Sequence, residues 1–133
     1  MGCKSPIFLF TFSATTDIVV VMKEVQISKA ICEYLDAQNV YYFHPANEGK
    51  RSFGMVKHFH ASGGRAGVAD LVLLLPNGET VFVELKTDTG RLRKTQIQFK
   101  EKVQKLGFEY LEWRSVDDAE KYLKSRGWCR WLH

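Results

Sequence analysis

The sequence contains few cysteines, and they are not arranged to bind zinc. Three cysteines, Cys3, Cys32 and Cys129, stand far apart in a chain of 133 residues. They form no C-x-x-C pair, and with the four histidines they form no cluster of zinc-ligand spacing. A scattered, odd-numbered set argues against a disulfide scaffold and favours a reduced, intracellular protein.

Long hydrophobic runs are also absent. The apolar segments 7–10 and 18–21 are separated by a polar stretch from Ser13 to Asp17, and neither segment can span a bilayer. A single lysine before a short apolar core makes a poor signal peptide. N-myristoylation at Gly2 would require Ser or Thr where this chain has Pro6. The sequence therefore predicts no membrane association.

The length of the chain is that of one domain, and it contains no internal repeat or low-complexity tract. Because Met22 resembles a natural start, we interpret residues 1–21 as a leader, poorly ordered or non-native, and residues 22–133 as one domain. Nineteen basic and fifteen acidic residues give a net charge of +4. This excess fits a nucleic-acid partner, but most small basic proteins bind no nucleic acid specifically.

Residues 70–86 predict a β-hairpin. Two apolar runs rich in Val, Leu and Phe flank Pro76-Asn77-Gly78, which is a turn signal. In a three-residue loop we expect a type I turn followed by a left-handed glycine. The loop fixes three cross-strand pairs, which are Leu75–Glu79, Val72–Phe82 and Asp70–Glu84.

One end of this hairpin gathers three charged side chains. Directly opposed residues share a face, so Asp70 and Glu84 project side by side, and Lys86 shares their face two residues later. Both faces are otherwise apolar, which predicts a hairpin inside a sheet that is covered on both sides. Charges at the end of such a buried unit are costly unless they are paired or bind a metal. An ion pair between Lys86 and either carboxylate is the alternative to a metal site.

The flanking segments predict an α/β fold with a mixed sheet between helices. We expect helices over residues 23–38, 52–61 and 91–106 and after a Ser115 cap, and strands over 40–44 and 108–113. Two helices have apolar stripes at helical spacing, formed by Ile27, Ile31 and Leu35 and by Phe99, Val103 and Leu106. Gly107 is the expected C-terminal cap of the second of these helices.

Two polar side chains fall on these buried stripes. Glu24 precedes Ile27 by one turn, where a carboxylate either interacts with the helix dipole or serves a functional site. Gln96 extends the other stripe toward the charged patch, and a buried amide needs partners, in the backbone or in a site. The basic, Gly-containing loops 47–51 and 63–67 are either solvated connections or phosphate contacts.

The ordered set of motifs resembles the VRR-NUC (virus-type replication-repair nuclease) family of the PD-(D/E)xK nuclease superfamily, especially its small stand-alone phage members. The similarity covers about residues 22–125 and rests on five segments, which are His44-Pro-Ala-Asn47-Glu-Gly49-Lys50-Arg51, Gly67-Val-Ala-Asp70, Val83-Glu84-Leu-Lys86, Gly90-Arg91-Leu92-Arg-Lys-Thr-Gln96 and Gly107-Phe108. Ala69 replaces a family Pro and Arg93 a frequent Ser, and neither change removes a catalytic group.

The resemblance implies a restriction-endonuclease-like αβββαβ core and a site that binds Mg²⁺, with Mn²⁺ as a substitute. Its ligands would be Asp70, Glu84 and the backbone carbonyl of Leu85, with Glu24 acting directly or through water. Such an ion neutralises phosphate charge and generates a hydroxide nucleophile. Lys86 would orient the attacking water, and Gln96 would hold Lys86, the water or the phosphate.

The resemblance also implies a DNA partner. Contacts to the DNA backbone are expected from Asn47, Lys50, Arg51, Arg65 and Arg91, which would position DNA without reading its sequence. The implied activity is that of a DNA endonuclease that leaves 5′-phosphate ends and selects a junction, flap or nick in phage replication or repair. We expect a cytoplasmic homodimer in a bacterial host.

A catalytically silent module that binds branched or duplex DNA is the alternative function. A protein that only binds DNA has no need for two carboxylates beside a phosphate, so the intact Asp70, Glu84, Lys86 and Gln96 set argues for the enzyme.

Overall fold

The computed structural model describes residues 13–45 and 52–132, so Asn47, Lys50 and Arg51 lie outside the described residues. The helices are α1 (Ser13–Ala37), α2 (Phe53–Ala61), α3 (Lys94–Lys105) and α4 (Val116–Ser125). The strands are β1 (Tyr41–Phe43), β2 (Leu71–Leu75), β3 (Glu79–Leu85) and β4 (Glu109–Trp113). None of the helices in the described ranges combines the length and the apolar character that a membrane span requires.

The four strands form one mixed sheet in the order β1-β2-β3-β4. Strand β2 is antiparallel to both β1 and β3, whereas β3 and β4 are parallel and are connected through α3. Helix α1 precedes the sheet, α2 lies between β1 and β2 in sequence, and α4 follows β4. The α/β class and the restriction-endonuclease-like arrangement predicted from the sequence are confirmed.

The hairpin of β2 and β3 has the predicted register. Leu75 pairs with Glu79, and Val72 pairs with Phe82. The turn differs from the prediction, because Asn77 (φ 66°) and Gly78 (φ 74°) both have left-handed backbone conformations. The expected type I turn is therefore wrong, since it requires a right-handed second residue. Asn tolerates the left-handed region because its short polar side chain can hydrogen-bond locally.

Apolar side chains pack on both faces of the hairpin. On one face, residues of α1 and α4 join the hairpin in a cluster that includes Ile31, Leu35, Leu73, Val83 and Leu123. On the opposite face, under α3, the cluster consists of Ala69, Val103 and Tyr110 with the partly buried Phe82, Leu92 and Phe99. The predicted two-sided burial holds except at Leu74, which is 42% exposed beside Tyr41 of the edge strand β1.

Helix α1 begins ten residues before the predicted start at residue 23. Its sequence from Ser13 to Ala37 contains neither Gly nor Pro, so nothing in it interrupts helical hydrogen bonding. Asn39, with a φ of 57°, follows the helix end in a left-handed conformation, as the prediction that the helix stops there requires. The predicted stripe is buried at Ile31 and Leu35.

Helices α3 and α4 also differ in detail from the predictions. Helix α3 begins at Lys94 and not at residue 91, because the Gln96 side chain caps the backbone at Arg93. Leu106 is 67% exposed and does not belong to the buried stripe, because the helix ends at the residue before it. Ser115 occupies the N-cap position of α4, but its side chain makes no capping hydrogen bond.

Candidate active site

The structure brings Asp70 and Glu84 together at one end of the β2–β3 hairpin. Asp70 immediately precedes β2, and its Oδ2 atom accepts a hydrogen bond of 2.8 Å from the backbone N–H of Leu85. Glu84 is the residue before Leu85 in β3, and it is only 1% exposed. Asp70 therefore lies just before β2 and Glu84 lies within β3, each one residue beyond the Leu71–Val83 pair.

The buried Glu84 carboxylate is held on one oxygen only. Its Oε1 atom accepts a hydrogen bond of 2.5 Å from Gln96 Nε2 and lies 3.2 Å from Lys86 Nζ. Its Oε2 atom is buried and has no hydrogen-bond partner among the described residues. Burial, followed by repulsion from Asp70, raises the pKa of Glu84 to about 7, against the opposing attraction of Lys86. The negative charge of the Glu84 carboxylate is therefore only partly compensated, and its Oε2 atom has no partner among the described residues.

Gln96 links the charged patch to the start of α3. Its Oε1 atom accepts hydrogen bonds from Lys86 Nζ (3.1 Å) and from the backbone N–H of Arg93 (2.7 Å). Its Nε2 atom donates to Glu84. The sequence left two roles open for this amide, and it fills both, because it caps a helix and also orients two charged side chains.

Gly67 brings the segment before Asp70 into contact with the same helix turn. A Cβ atom at this position would lie 2.2 Å from the carbonyl oxygen of Thr95 and 2.7 Å from the backbone nitrogen of Gln96. Only glycine permits so close an approach, and the φ of 74° also favours glycine. The backbone before Asp70 therefore packs directly on the residue that orients Lys86.

Two residues at this end of the sheet were not assigned a role from the sequence. His44 follows β1, and its Nδ1 atom lies 2.5 Å from the carbonyl oxygen of Asp70, within hydrogen-bonding distance. Arg114 follows β4, and its Nη1 atom donates to the carbonyl oxygens of Thr87 and Gly90 just beyond Lys86. The family motif contained the signal for His44. Arg114 becomes visible only once the parallel pairing of Leu85 with Trp113 is known.

These groups surround a cavity of about 580 Å³, whose walls come from α1, the hairpin and the start of α3. Asp70, Glu84, Leu85, Lys86 and Gln96 line it together. The exposed Glu24 lines the same cavity from α1. Within residues 13–45 and 52–132, no three Asp, Glu, His or Cys side chains are close enough to hold a metal ion together. Glu24 therefore does not join Asp70 and Glu84, the acid pair, as a third close ligand.

The donor atoms of the site fit a hard divalent cation. Two carboxylates and a backbone carbonyl supply oxygen, which Mg²⁺ prefers. The orphaned Oε2 atom of Glu84 is the group that such an ion would satisfy, since a buried carboxylate oxygen without a partner is costly. Lys86 offsets only part of this negative charge, and its side chain is 13% exposed.

The expected DNA contacts are only partly in view. Arg65 and Arg91 are both exposed, and Arg65 Nη1 donates to the carbonyl oxygen of Gly64 at 3.0 Å. Asn47, Lys50 and Arg51, the remaining predicted contacts, lie outside the described residues.

Comparison with known proteins gives the same family as the sequence motifs. A solved structure of a VRR-NUC domain shares 24% identity with this chain and superposes with a TM-score of 0.54, covering 77% of this chain and 95% of the other. A solved VRR-NUC domain protein shares 18% identity with a TM-score of 0.62, covering 77% of this chain and 86% of the other. These likenesses show the fold. No curated protein matches the chain.

The sequence model of the VRR-NUC domain matches residues 18–117, which include Asp70, Glu84, Lys86 and Gln96. The match spans more than half of the chain and contains all four strands. The chain therefore belongs to the VRR-NUC domain family.

Proposed function

We propose that this protein is a Mg²⁺-dependent endodeoxyribonuclease that hydrolyses phosphodiester bonds in DNA. The observation that carries the proposal is the buried Glu84 carboxylate, which has one oxygen held by Gln96 and Lys86 and the other without a partner. A site used only for structural ion pairing has no reason to leave this oxygen unsatisfied. A site that binds a cation next to a phosphate needs such an oxygen as a ligand for the cation.

Asp70, Glu84 Oε2 and the carbonyl of Leu85 are the groups that would hold the ion, and Glu24 would act through water across the cavity. When bound, Mg²⁺ would neutralise phosphate charge and make a water molecule more acidic, and Mn²⁺ would replace it. The hydrogen bond from Leu85 N–H to Asp70 fixes the first carboxylate on the backbone beside the second. The protein thus supplies two pre-positioned anionic ligands.

Lys86 supplies positive charge at a fixed point. Its Nζ atom lies between Glu84 Oε1 (3.2 Å) and Gln96 Oε1 (3.1 Å), so the ammonium is oriented before substrate binds. A pre-oriented cation next to a reacting phosphate stabilises the charge that develops in the transition state. Its third N–H would donate to the attacking water or to a phosphate oxygen.

The proposed substrate is DNA with a branch, flap or nick, and cleavage leaves 5′-phosphate ends. Exposed Arg65 and Arg91, together with Asn47, Lys50 and Arg51, would contact the DNA backbone. The net charge of +4 supports such a partner. We place the activity in phage replication or repair in a bacterial cytoplasm, and we propose that two copies act together on a branched substrate.

One experiment tests the activity and its substrate. Labelled duplex, nicked, flap and four-way junction DNA are incubated with the protein in EDTA, Mg²⁺ or Mn²⁺. We expect cutting with either metal, none with EDTA, and a preference for at least one branched substrate. Binding of all four DNAs without cutting in any metal would contradict the proposal and favour the DNA-binding module.

A further inference from the structure

A second cavity lies on the other side of the segment that follows Lys86. It has a volume of about 410 Å³ and is bounded by α1, the turn after β3 and the segment between β4 and α4. Thr87 lines it, whereas the preceding residue, Lys86, lines the active-site cavity. On α1, Lys23 lines this cavity, and the next residue, Glu24, lines the active-site cavity. The two cavities are therefore neighbours.

Arg114 presents fixed and unused donors at this second cavity. One nitrogen of its guanidinium, Nη1, donates to the carbonyl oxygens of Thr87 and Gly90. These two hydrogen bonds hold the guanidinium group against the turn that follows β3. Its Nη2 and Nε atoms have no partner within the described ranges, and they are not sealed from solvent. A pre-oriented guanidinium with free donors is well suited to a phosphate, because little further order is lost on binding.

The charges around this cavity favour an anion. In the described part of the chain, neither Arg114 nor Lys23 forms an ion pair with a carboxylate. Asp88 also lines the cavity and opposes an anionic ligand, but among the described residues it forms no ion pair with Arg114 or Lys23. Thr87 and Ser115 add hydroxyl groups, and the Ser115 hydroxyl is not used to cap α4. Asp118, which accepts a hydrogen bond of 2.8 Å from the backbone N–H of Arg114, does not line the cavity, so two cations face one carboxylate among the lining residues.

We propose that Arg114 and Lys23 form a subsite for a DNA phosphate next to the one that is cut. The proposal rests on the proposed nuclease function, and it assigns a second point of attachment for the same strand. Two phosphates held on either side of the Lys86–Thr87 peptide would align the strand over the acid pair, since phosphate contacts fix register and orientation. A terminal phosphate and a phosphate within the chain share this chemistry.

The first test is DNA binding in EDTA, where the proposed activity is silent. Fluorescence anisotropy gives the affinity of the full chain for a flap DNA over a range of salt concentrations. Arg114→Met should weaken binding about tenfold, and Lys23→Met about threefold to fivefold. Each should reduce the salt slope by about 1, because one phosphate contact is lost. Asp88→Asn should strengthen binding, since it removes the opposing charge.

Matched controls separate the subsite from general effects. Lys121→Met removes an exposed cation of α4 that does not line the cavity and should leave affinity unchanged. Urea denaturation shows whether each variant is folded. If Arg114→Met does not fold, because the turn at Thr87 has lost its anchor, Lys23→Met and Asp88→Asn carry the test.

The second test locates the phosphate. Single phosphates of the DNA are replaced in turn by uncharged methylphosphonates, and in a separate arm the 5′-terminal phosphate is removed. At one position the wild-type protein should lose affinity, and Lys23→Met should lose less there than the wild type does. That position identifies an internal or a terminal phosphate as the ligand. Additive losses at every position would overturn the subsite.

The two proposals can fail separately. If the wild type cuts DNA in Mg²⁺ but Lys23→Met, Arg114→Met and Asp88→Asn all bind as the wild type does, only the subsite is overturned. If the wild type binds none of the DNAs, the proposed function fails, and the subsite fails with it.

Discussion

A methyl group added at Gly67 tests how closely the segment before Asp70 is packed on α3. Gly67 and Gly78 both have a φ of 74°, but they differ in their surroundings. A Cβ at Gly67 would lie 2.2 Å from the Thr95 carbonyl oxygen, whereas a Cβ at Gly78 would meet nothing within 4 Å. Gly78→Ala is therefore a matched control, with the same backbone strain and no steric contact.

The magnitudes follow from this comparison. Left-handed backbone at a non-glycine residue costs about 1–2 kcal/mol, and this cost applies to both alanine variants. The loss of conformational freedom in the unfolded chain is also the same in both and cancels. Only in Gly67→Ala does the new Cβ atom also clash with the backbone of α3 at Thr95. By analogy with overpacked cores, this clash adds about 1–3 kcal/mol to the destabilisation. Gly67→Ala should therefore lower the free energy of unfolding by about 1–3 kcal/mol more than Gly78→Ala.

Urea denaturation in EDTA measures this difference directly. Because Gln96 follows Thr95, the displacement should also separate Gln96 from Glu84 and Lys86. Cleavage by folded Gly67→Ala should then fall, while cleavage by Gly78→Ala stays at the wild-type rate. Equal destabilisation of the two variants would refute the close packing of this segment on α3.

Three further predictions concern the side chains of Glu84, Gln96 and Tyr110. Without metal, the folded pKa of Glu84 (about 7) lies above its usual 4.5, so its contribution to stability is complete below pH 4.5 and is lost as pH rises through 7. Urea denaturation in EDTA measures the free energy of unfolding at each pH. Between about pH 4 and pH 8 this free energy should fall by about 3 kcal/mol more in the wild type than in Glu84→Gln. Parallel pH profiles of the two proteins would contradict this. Gln96→Leu removes a helix cap and two contacts to charged groups, so it should lower the free energy of unfolding, measured by urea denaturation, by about 2–3 kcal/mol. A decrease below about 1 kcal/mol would count against the dual role of Gln96. The hydroxyl of Tyr110 is buried without a partner among the described residues, so Tyr110→Phe should be neutral or stabilise by about 1 kcal/mol in the same assay, and clear destabilisation would reveal a hydrogen bond to that hydroxyl.

The hairpin and its charged end could be predicted because the information is local. A turn signal between two apolar runs sets the register, and the register alone places Asp70 beside Glu84. The type of the turn could not be predicted, because Asn77 is compatible with either backbone hand. The start of α1 could not be predicted from Met22, which resembles a natural start, because the helix also includes the polar stretch from Ser13 to Asp17, which contains no residue that ends a helix.

The roles of His44 and Arg114 depend on contacts between distant parts of the chain. His44 contacts a carbonyl 26 residues away, and Arg114 contacts carbonyls 24 and 27 residues away. No periodicity or spacing in a single sequence encodes such contacts, since they arise only when β1, β2 and β4 are assembled into one sheet. Gln96 was found from the sequence because an amide on a buried helical stripe is conspicuous by itself.

The proposed nuclease activity depends most directly on the carboxylate of Glu84. The decisive measurement is the rate of Mg²⁺-dependent DNA cutting by the wild type, Glu84→Gln and Glu112→Gln. Glu112 is the control because it pairs with Glu84 in register and carries the same charge, but it contacts Lys100 at 3.7 Å. We expect Glu84→Gln to lose at least about a hundredfold in rate, since several kcal/mol of charge stabilisation depend on it, and Glu112→Gln to cut like the wild type. Undiminished cutting by Glu84→Gln would contradict the central claim.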